Sequence, residues 1–172
     1  SNTVQQMFMV FGLGLASACA VMIGNQIGSG NKEKAKQYSR RFLILGTMLG
    51  IILGIAIIVV SPLILRIFSN IEVVQQLASR ILLVMGLFLS IRFFNAVLII
   101  GVLRSGGDTT FSMVLETCSV WLLGVPIAFI GALIWKVPVY WVFALVSLEE
   151  VLKAYFGLTR VKSNKWIKTV SE

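Results

Sequence analysis

The sequence predicts an all-α fold, a polytopic membrane helix bundle with five transmembrane helices, and three observations lead there. Five apolar stretches, about 4–28, 42–65, 77–103, 110–135 and 139–159, each reach the roughly 20 residues a helix needs to cross about 30 Å of hydrocarbon. Charged residues make up 13% of the 172 and hydrophobic residues 58%, whereas about 25% of a soluble domain is charged. A chain this short has no water-soluble core large enough to hide so much apolar surface. Lipid offers no partner for backbone N–H and C=O groups, which favours helices, and the period-two alternation of barrel strands is absent.

Span one carries no charge from Val4 to Asn31. It is too long for a signal peptide and lacks a basic leader. Gly12, Ala16, Ala20, Gly24 and Gly28 recur at every fourth position, a spacing that lets helix backbones approach closely in lipid. Asn25 and Gln26 lie near its inner end. The polar stretch Asn31–Arg41 is expected to form a helical turn or two along the inner surface. Span two repeats small residues at Gly46, Gly50 and Gly54; Pro62 is expected to close it, with Ser69–Asn70 as the outer loop.

Arg92 divides span three, with Asn95 close by. A central arginine opposes insertion by roughly 3 kcal/mol, and its Leu, Ile, Val and Phe neighbours offset this at about −0.3 to −0.6 kcal/mol each. The span therefore inserts, and Arg92 must face the bundle or a wet cavity. Arg104–Asp108 is a tight turn whose glycines permit positive φ, with Asp108 placed to cap the next helix. Span four holds Glu116 two turns in, and Pro126, which removes a backbone hydrogen bond and predicts a kink. Pro138 suits the first turn of span five, which carries Glu149, Glu150 and Lys153. The tail, 160–172, is basic. No linker or internal repeat is visible, so residues 1–172 read as one membrane domain or part of one.

The net charge of +8 is sorted by side rather than gathered for nucleic acid. Lys32, Lys34, Lys36, Arg40, Arg41, Arg104, Arg160, Lys162, Lys165 and Lys168 fall on one side of the predicted membrane, and Arg66, Arg80 and Lys136 on the other. The positive-inside rule places the first set and the C-terminus in the cytoplasm and the N-terminus outside. Such basic segments face anionic lipid; no nucleic-acid partner is expected. With no His, and Cys19 and Cys118 in different spans, neither a disulfide framework nor a metal site is expected.

The ionisable residues within the spans form the candidate site. Arg92 in span three and Glu149 or Glu150 in span five lie at similar depth, so a pair is allowed. Lys153 competes at i,i+4 from Glu149. Glu149 and Glu150 project about 100° apart, so one can pair structurally while the other faces a cavity. Two readings stay open: a neutralised ion network that locks helices, or a carboxylate that titrates or binds a cation during transport.

Several segments resemble one family. Val21–Ala35 (VMIGNQIGSGNKEKA) and Gly101–Phe111 (GVLRSGGDTTF) resemble inner turns of multidrug and toxic compound extrusion (MATE) transporters. Val125-Pro126 and the ending Glu149–Lys153, Gly157–Arg160 and Lys165-Trp166 fit the same pattern in order, spacing and sidedness. The resemblance covers nearly the whole chain and corresponds to the last five of the family's twelve helices, most of its C-terminal lobe, which accounts for the odd span count. It implies two six-helix lobes around a central cavity and secondary active multidrug efflux: inward Na⁺ or H⁺ exchanged for outward organic cations by alternating access. It also implies a bacterial plasma membrane location, a missing N-terminal lobe as partner, no cofactor beyond the coupling ion, and no enzymatic activity. Glu116, Glu149 and Glu150 are the candidate cavity or network acids, Arg92 and Lys153 their partners, and Asn95, Asn25 and Gln26 polar cavity candidates. Some sodium-coupled members carry an acid on the helix matching span three, where this chain has Arg92 and Asn95. The alternatives are a lipid-linked oligosaccharide flippase of a related superfamily, for which a more cationic cavity is expected, and a non-transporting scaffold subunit. A membrane-embedded enzyme lacks its ligands here, with no His and Asp108 as the sole Asp.

Overall fold

The helices run end to end with very short connections. A computed structural model describes residues 2–68, 72–135 and 137–168 of the chain. In order they form α1 (Asn2–Gly28), α2 (Lys32–Phe68), α3 (Glu72–Ala96), α4 (Thr109–Ser119), α5 (Val125–Phe129) and α6 (Val139–Lys162). Helix α3 continues directly into a π-helical stretch, Val97–Arg104. Two further π-helical turns, Val120–Gly124 and Ile130–Ile134, join α4 to α5 and prolong α5. The sequence pattern had not marked any of these π-helical stretches.

Among the described residues four stretches are long and apolar enough to cross a membrane: Met9–Gly28, Lys32–Ser61, Ala78–Arg104 and Thr109–Ile134. The fifth predicted span is also a helix, α6, of 24 residues and so about 36 Å long. It carries three charges, Glu149, Glu150 and Lys153, within its apolar run. The outer surface is what lipid requires: Leu122, Val59, Trp121 and Val10 are among many large apolar side chains left largely exposed, whereas water-soluble proteins rarely expose wide apolar patches.

Several expectations are corrected. The segment Asn31–Arg41 is no separate surface helix, because α2 begins at Lys32 and continues unbroken through it. The connection shrinks to Ser29–Asn31: Gly30 takes φ +80°, a conformation glycine adopts without strain, and the Asn31 N–H bonds back to the Gln26 carbonyl at 2.8 Å. Pro62 does not close span two, since α2 runs on to Phe68; the expected Ser69–Asn70 loop lies outside the described residues. Around Pro126 the chain answers with wider turns. Pro126 has no N–H to bond four residues back, and just before it the Val125 N–H bonds five residues back to the Val120 carbonyl, the pattern of a π-bulge.

The glycine prediction holds for α2 and half of α1. A Cβ on Gly50 would come within 2.6 Å of Ser90 Cα, and one on Gly46 within 2.9 Å of Val97. Gly54 lies against the backbone of Gly86. Small residues thus seat α2 on α3, the most extensive helix contact in the bundle. In α1 the packed residues are Gly12, Ala16, Cys19 and Ile23, a heptad-like spacing rather than strict fours. Gly24 and Gly28 have nothing within 4 Å, because a stripe of period four drifts around a helix of 3.6 residues per turn. Two buried clusters follow. One, near the basic end, joins Ala16, Cys19 and Ile23 to Val97, Leu98, Leu103 and Trp166; the other packs Ile57 against Leu82, Met85, Leu89 and Phe93.

Candidate functional site

A cavity of about 280 Å³ opens where α1, α3, its π-helical extension, α4 and α6 meet. Met9, Leu13, Ala96, Ile99 and Ile100 give it apolar walls, and Arg92, Asn95, Glu116, Glu150 and Lys153 line it with polar groups. Five of the residues singled out from the sequence are therefore neighbours in space. The helix period explains it: Arg92, Asn95, Ala96, Ile99 and Ile100 follow the i, i+3, i+4, i+7, i+8 spacing of one helical face.

Glu150 is the centre. Asn95 donates from Nδ2 to its Oε2 at 2.7 Å and to its backbone carbonyl at 2.8 Å. Arg92 Nε lies 3.9 Å from Oε1, and Lys153 Nζ 3.8 Å from the same oxygen. These are charge contacts without hydrogen-bond geometry. The Arg92 guanidinium also sits over the Phe143 ring, 5.5 Å from its centre, a cation–π contact. Glu149 turns away from the cavity. Lys153 bonds its Oε1 at 3.1 Å, and its Oε2 packs against Gly124, in the π-helical turn before Pro126. The adjacent carboxylates thus separate as helix geometry requires, one to the cavity and one to the interrupted helix.

The network is under-satisfied. Arg92 Nε, Asn95 Oδ1 and Glu149 Oε2 are buried without a hydrogen-bond partner among the described residues, although buried polar groups normally have one. Glu116 pairs with Arg104 in a half-exposed ion pair, at the edge of the cavity. Asn25 and Gln26 do not line this cavity. Asn25 is exposed, Gln26 carries a buried unpaired Oε1, and Asn25 lies twelve residues beyond Leu13, roughly 18 Å along α1.

Residues 1–130 match the MatE family. The chain belongs to that family. Relatives extend the likeness over most of the rest. The Probable multidrug resistance protein NorM of Thermotoga maritima is 24% identical over 167 residues, which cover 96% of this chain and 35% of the relative. Multidrug and toxin extrusion protein 1 of Danio rerio is 25% identical, over 95% of this chain and 28% of its own length. A third, the Probable multidrug resistance protein NorM of Pasteurella multocida, is 28% identical over 74% of this chain and 27% of its own. The chain spans about a third of the length of the curated relatives it matches, or less. With its exposed apolar helices, this MatE chain is an integral membrane protein.

A second ionic centre in this MatE chain went unseen in the sequence. Asp108 was expected to cap α4. It sits at the N-cap, but its side chain makes no cap hydrogen bond. Its fully buried carboxylate instead accepts from Arg160 Nε at 2.6 Å and Nη2 at 3.3 Å, and meets Lys168 Nζ at 2.8 Å. Two distant cations out-compete a local cap because each carries a full positive charge, whereas the helix N-terminus offers about half of one. Burial alone would push the Asp108 carboxyl up, but the bonds and charges of Arg160 and Lys168 outweigh it and hold the group below its ordinary value. The tail completes a clasp. Asn164 takes φ 56° just beyond α6, Lys168 N–H bonds the Gly106 carbonyl at 2.8 Å, and the buried Trp166 ring lies on Gly106, where no Cβ fits. The available signals were modest: the sole Asp beside two glycines, and one Trp in a polar, basic tail.

Proposed function

We propose that this chain supplies part of the C-terminal lobe of a secondary active multidrug efflux transporter in the bacterial plasma membrane, with its N-terminus outside and its basic loops and tail in the cytoplasm. The whole protein exchanges H⁺ or Na⁺ for organic cations by alternating access, and the rest of the cavity comes from the N-terminal lobe. One observation carries the reading: Glu150, in an apolar-walled cavity, is held by Asn95 at hydrogen-bond distance and by Arg92 and Lys153 only at long range. Intramembrane ionisable residues are costly and mark ion or substrate pathways. The relatives' names, multidrug resistance protein and multidrug and toxin extrusion protein, support the same reading.

Ligand number supports a proton over Na⁺ in this lobe. Either adds one positive charge beside Arg92 and Lys153, but a hard cation takes several oxygen ligands, and Asn95 already holds Glu150 Oε2. A proton needs only one carboxylate oxygen, and taking it up removes the charge that faces Arg92, while Lys153 keeps its bond to Glu149. Each cation is matched by a carboxylate, so the cavity holds no surplus positive charge for an anionic headgroup, which weighs against the flippase reading.

The test is dye efflux by the intact transporter in vesicles under separately imposed H⁺ and Na⁺ gradients. The reading expects efflux to follow the H⁺ gradient and Glu150→Gln to abolish that dependence. Efflux indifferent to both gradients removes the antiport claim.

A further inference from the structure

A second recess, of about 600 Å³, opens at the basic end of the bundle between α2, α3 and the last turn of α6. Three of its lining side chains are cationic: Lys36 and Arg40, one turn apart on α2, and Lys162 at the end of α6. Among the described residues no carboxylate lines it. One turn further along α2 the wall becomes apolar, with Leu43 and Ile44, and Leu158 joins them from α6. Ile44 is 52% exposed, on the surface that faces lipid.

The order and scale of these groups identify the occupant. Arg40 and Ile44 are one turn apart, roughly 6 Å along the helix, close to the roughly 5–7 Å by which the headgroup layer extends each face of the hydrocarbon. A ligand anionic at one end and apolar at the other, standing parallel to α2, matches both halves. We propose that this recess is a binding site for an anionic phospholipid of the inner leaflet, its phosphate held by Lys36, Arg40 and Lys162 and its acyl chains lying along Ile44. Arginine and lysine at a membrane surface are the groups that recognise such headgroups. Lys36 already meets Glu33 at 3.0 Å, but that glutamate is 84% exposed, and an exposed ion pair is weak; a phosphate displaces it. Trp166 of the clasp also lines the recess, so an occupied site braces the end of α6.

The intact transporter, purified in mild detergent and stripped of lipid, is titrated with phosphatidylglycerol or phosphatidylcholine and read by native mass spectrometry. Selective retention of phosphatidylglycerol is expected. In K36Q/R40Q/K162Q its affinity falls on the order of tenfold or more, given the contribution of membrane-proximal basic side chains, and the charge-preserving K36R/R40K/K162R restores it. Equal retention of the two lipids, or a triple-Gln variant that binds like the unaltered protein, overturns the site. A second measurement needs no variant. A photoactivatable phosphatidylglycerol in phosphatidylcholine vesicles labels the unaltered protein, and the label is mapped by peptide. Label on residues 36–47 and 158–166 supports the site, and label confined elsewhere overturns it.

Discussion

The chain holds two buried ionic centres built to opposite standards. At the clasp both carboxylate oxygens of Asp108 are met by a cation at 2.6–3.3 Å, with the backbone bridged alongside, and the buried Trp166 Nε1 is the clasp atom without a partner among the described residues. In the cavity Glu150 stands 3.9 Å from Arg92 and 3.8 Å from Lys153, which bonds Glu149 instead, and Arg92 Nε, Asn95 Oδ1 and Glu149 Oε2 have no hydrogen-bond partner among the described residues. A saturated centre has one low-energy arrangement and holds two segments together. An unsaturated one keeps donors and acceptors in reserve, so protonation or a ligand can rearrange it at small cost. On the proposed function, the difference separates a structural lock from a site that works.

The sharpest way to break this comparison is Glu150→Gln in the intact transporter. The shape and the Asn95 bond are kept and only the charge is lost. Gradient-driven efflux should fall to background while the purified protein keeps its elution profile and melting temperature; a large loss of stability with efflux intact would reverse the two roles. Asp108→Ala should do the opposite, lowering unfolding stability in detergent by about 1–3 kcal/mol. The cost stays moderate because the stranded Arg160 and Lys168 side chains, 26% and 51% exposed, reach water. A glycine pair tests the packing that carries both centres. Gly50→Ala forces a Cβ toward the Ser90 backbone and should cost about 1–3 kcal/mol, whereas Gly24→Ala, with open space around it, should be neutral or slightly stabilising. Thermal melts of the two variants decide it.

The smallest effect is a pH limb. Asp108 is held below its ordinary value of 3.8, so the folded state binds its proton less readily than the unfolded chain. The clasp's contribution is then complete above that value and is lost as pH falls through the lowered native one. Melting temperature should show an acid decline that is shallower in Asp108→Asn than in the unaltered protein, and identical limbs would deny the clasp its electrostatic role.

Legibility in the sequence followed the range of the forces involved. The gathering of Arg92, Asn95, Glu116, Glu150 and Lys153 was readable because lipid forbids lone charges and helix spacing fixes which residues share a face. The clasp was not: Asp108 meets Arg160 and Lys168 across 52 and 60 residues, and its local context fits a helix cap equally well. Pro126 announced an interruption, yet only the surrounding helices show that Glu149 rests against the π-helical turn before it. Asn25 and Gln26 were polar in the right helix at the wrong height.

Hydrophobic run length, charge sidedness and helical period, all properties of the linear chain in a lipid solvent, determined by themselves that this protein is a helical membrane bundle with charges turned inward. Tertiary structure alone decided which carboxylate faces the cavity, which is locked, and where the basic tail docks. Those outcomes depend on competition among partners distant in sequence, and hydrogen-bond geometry resolves it only once the helices are packed.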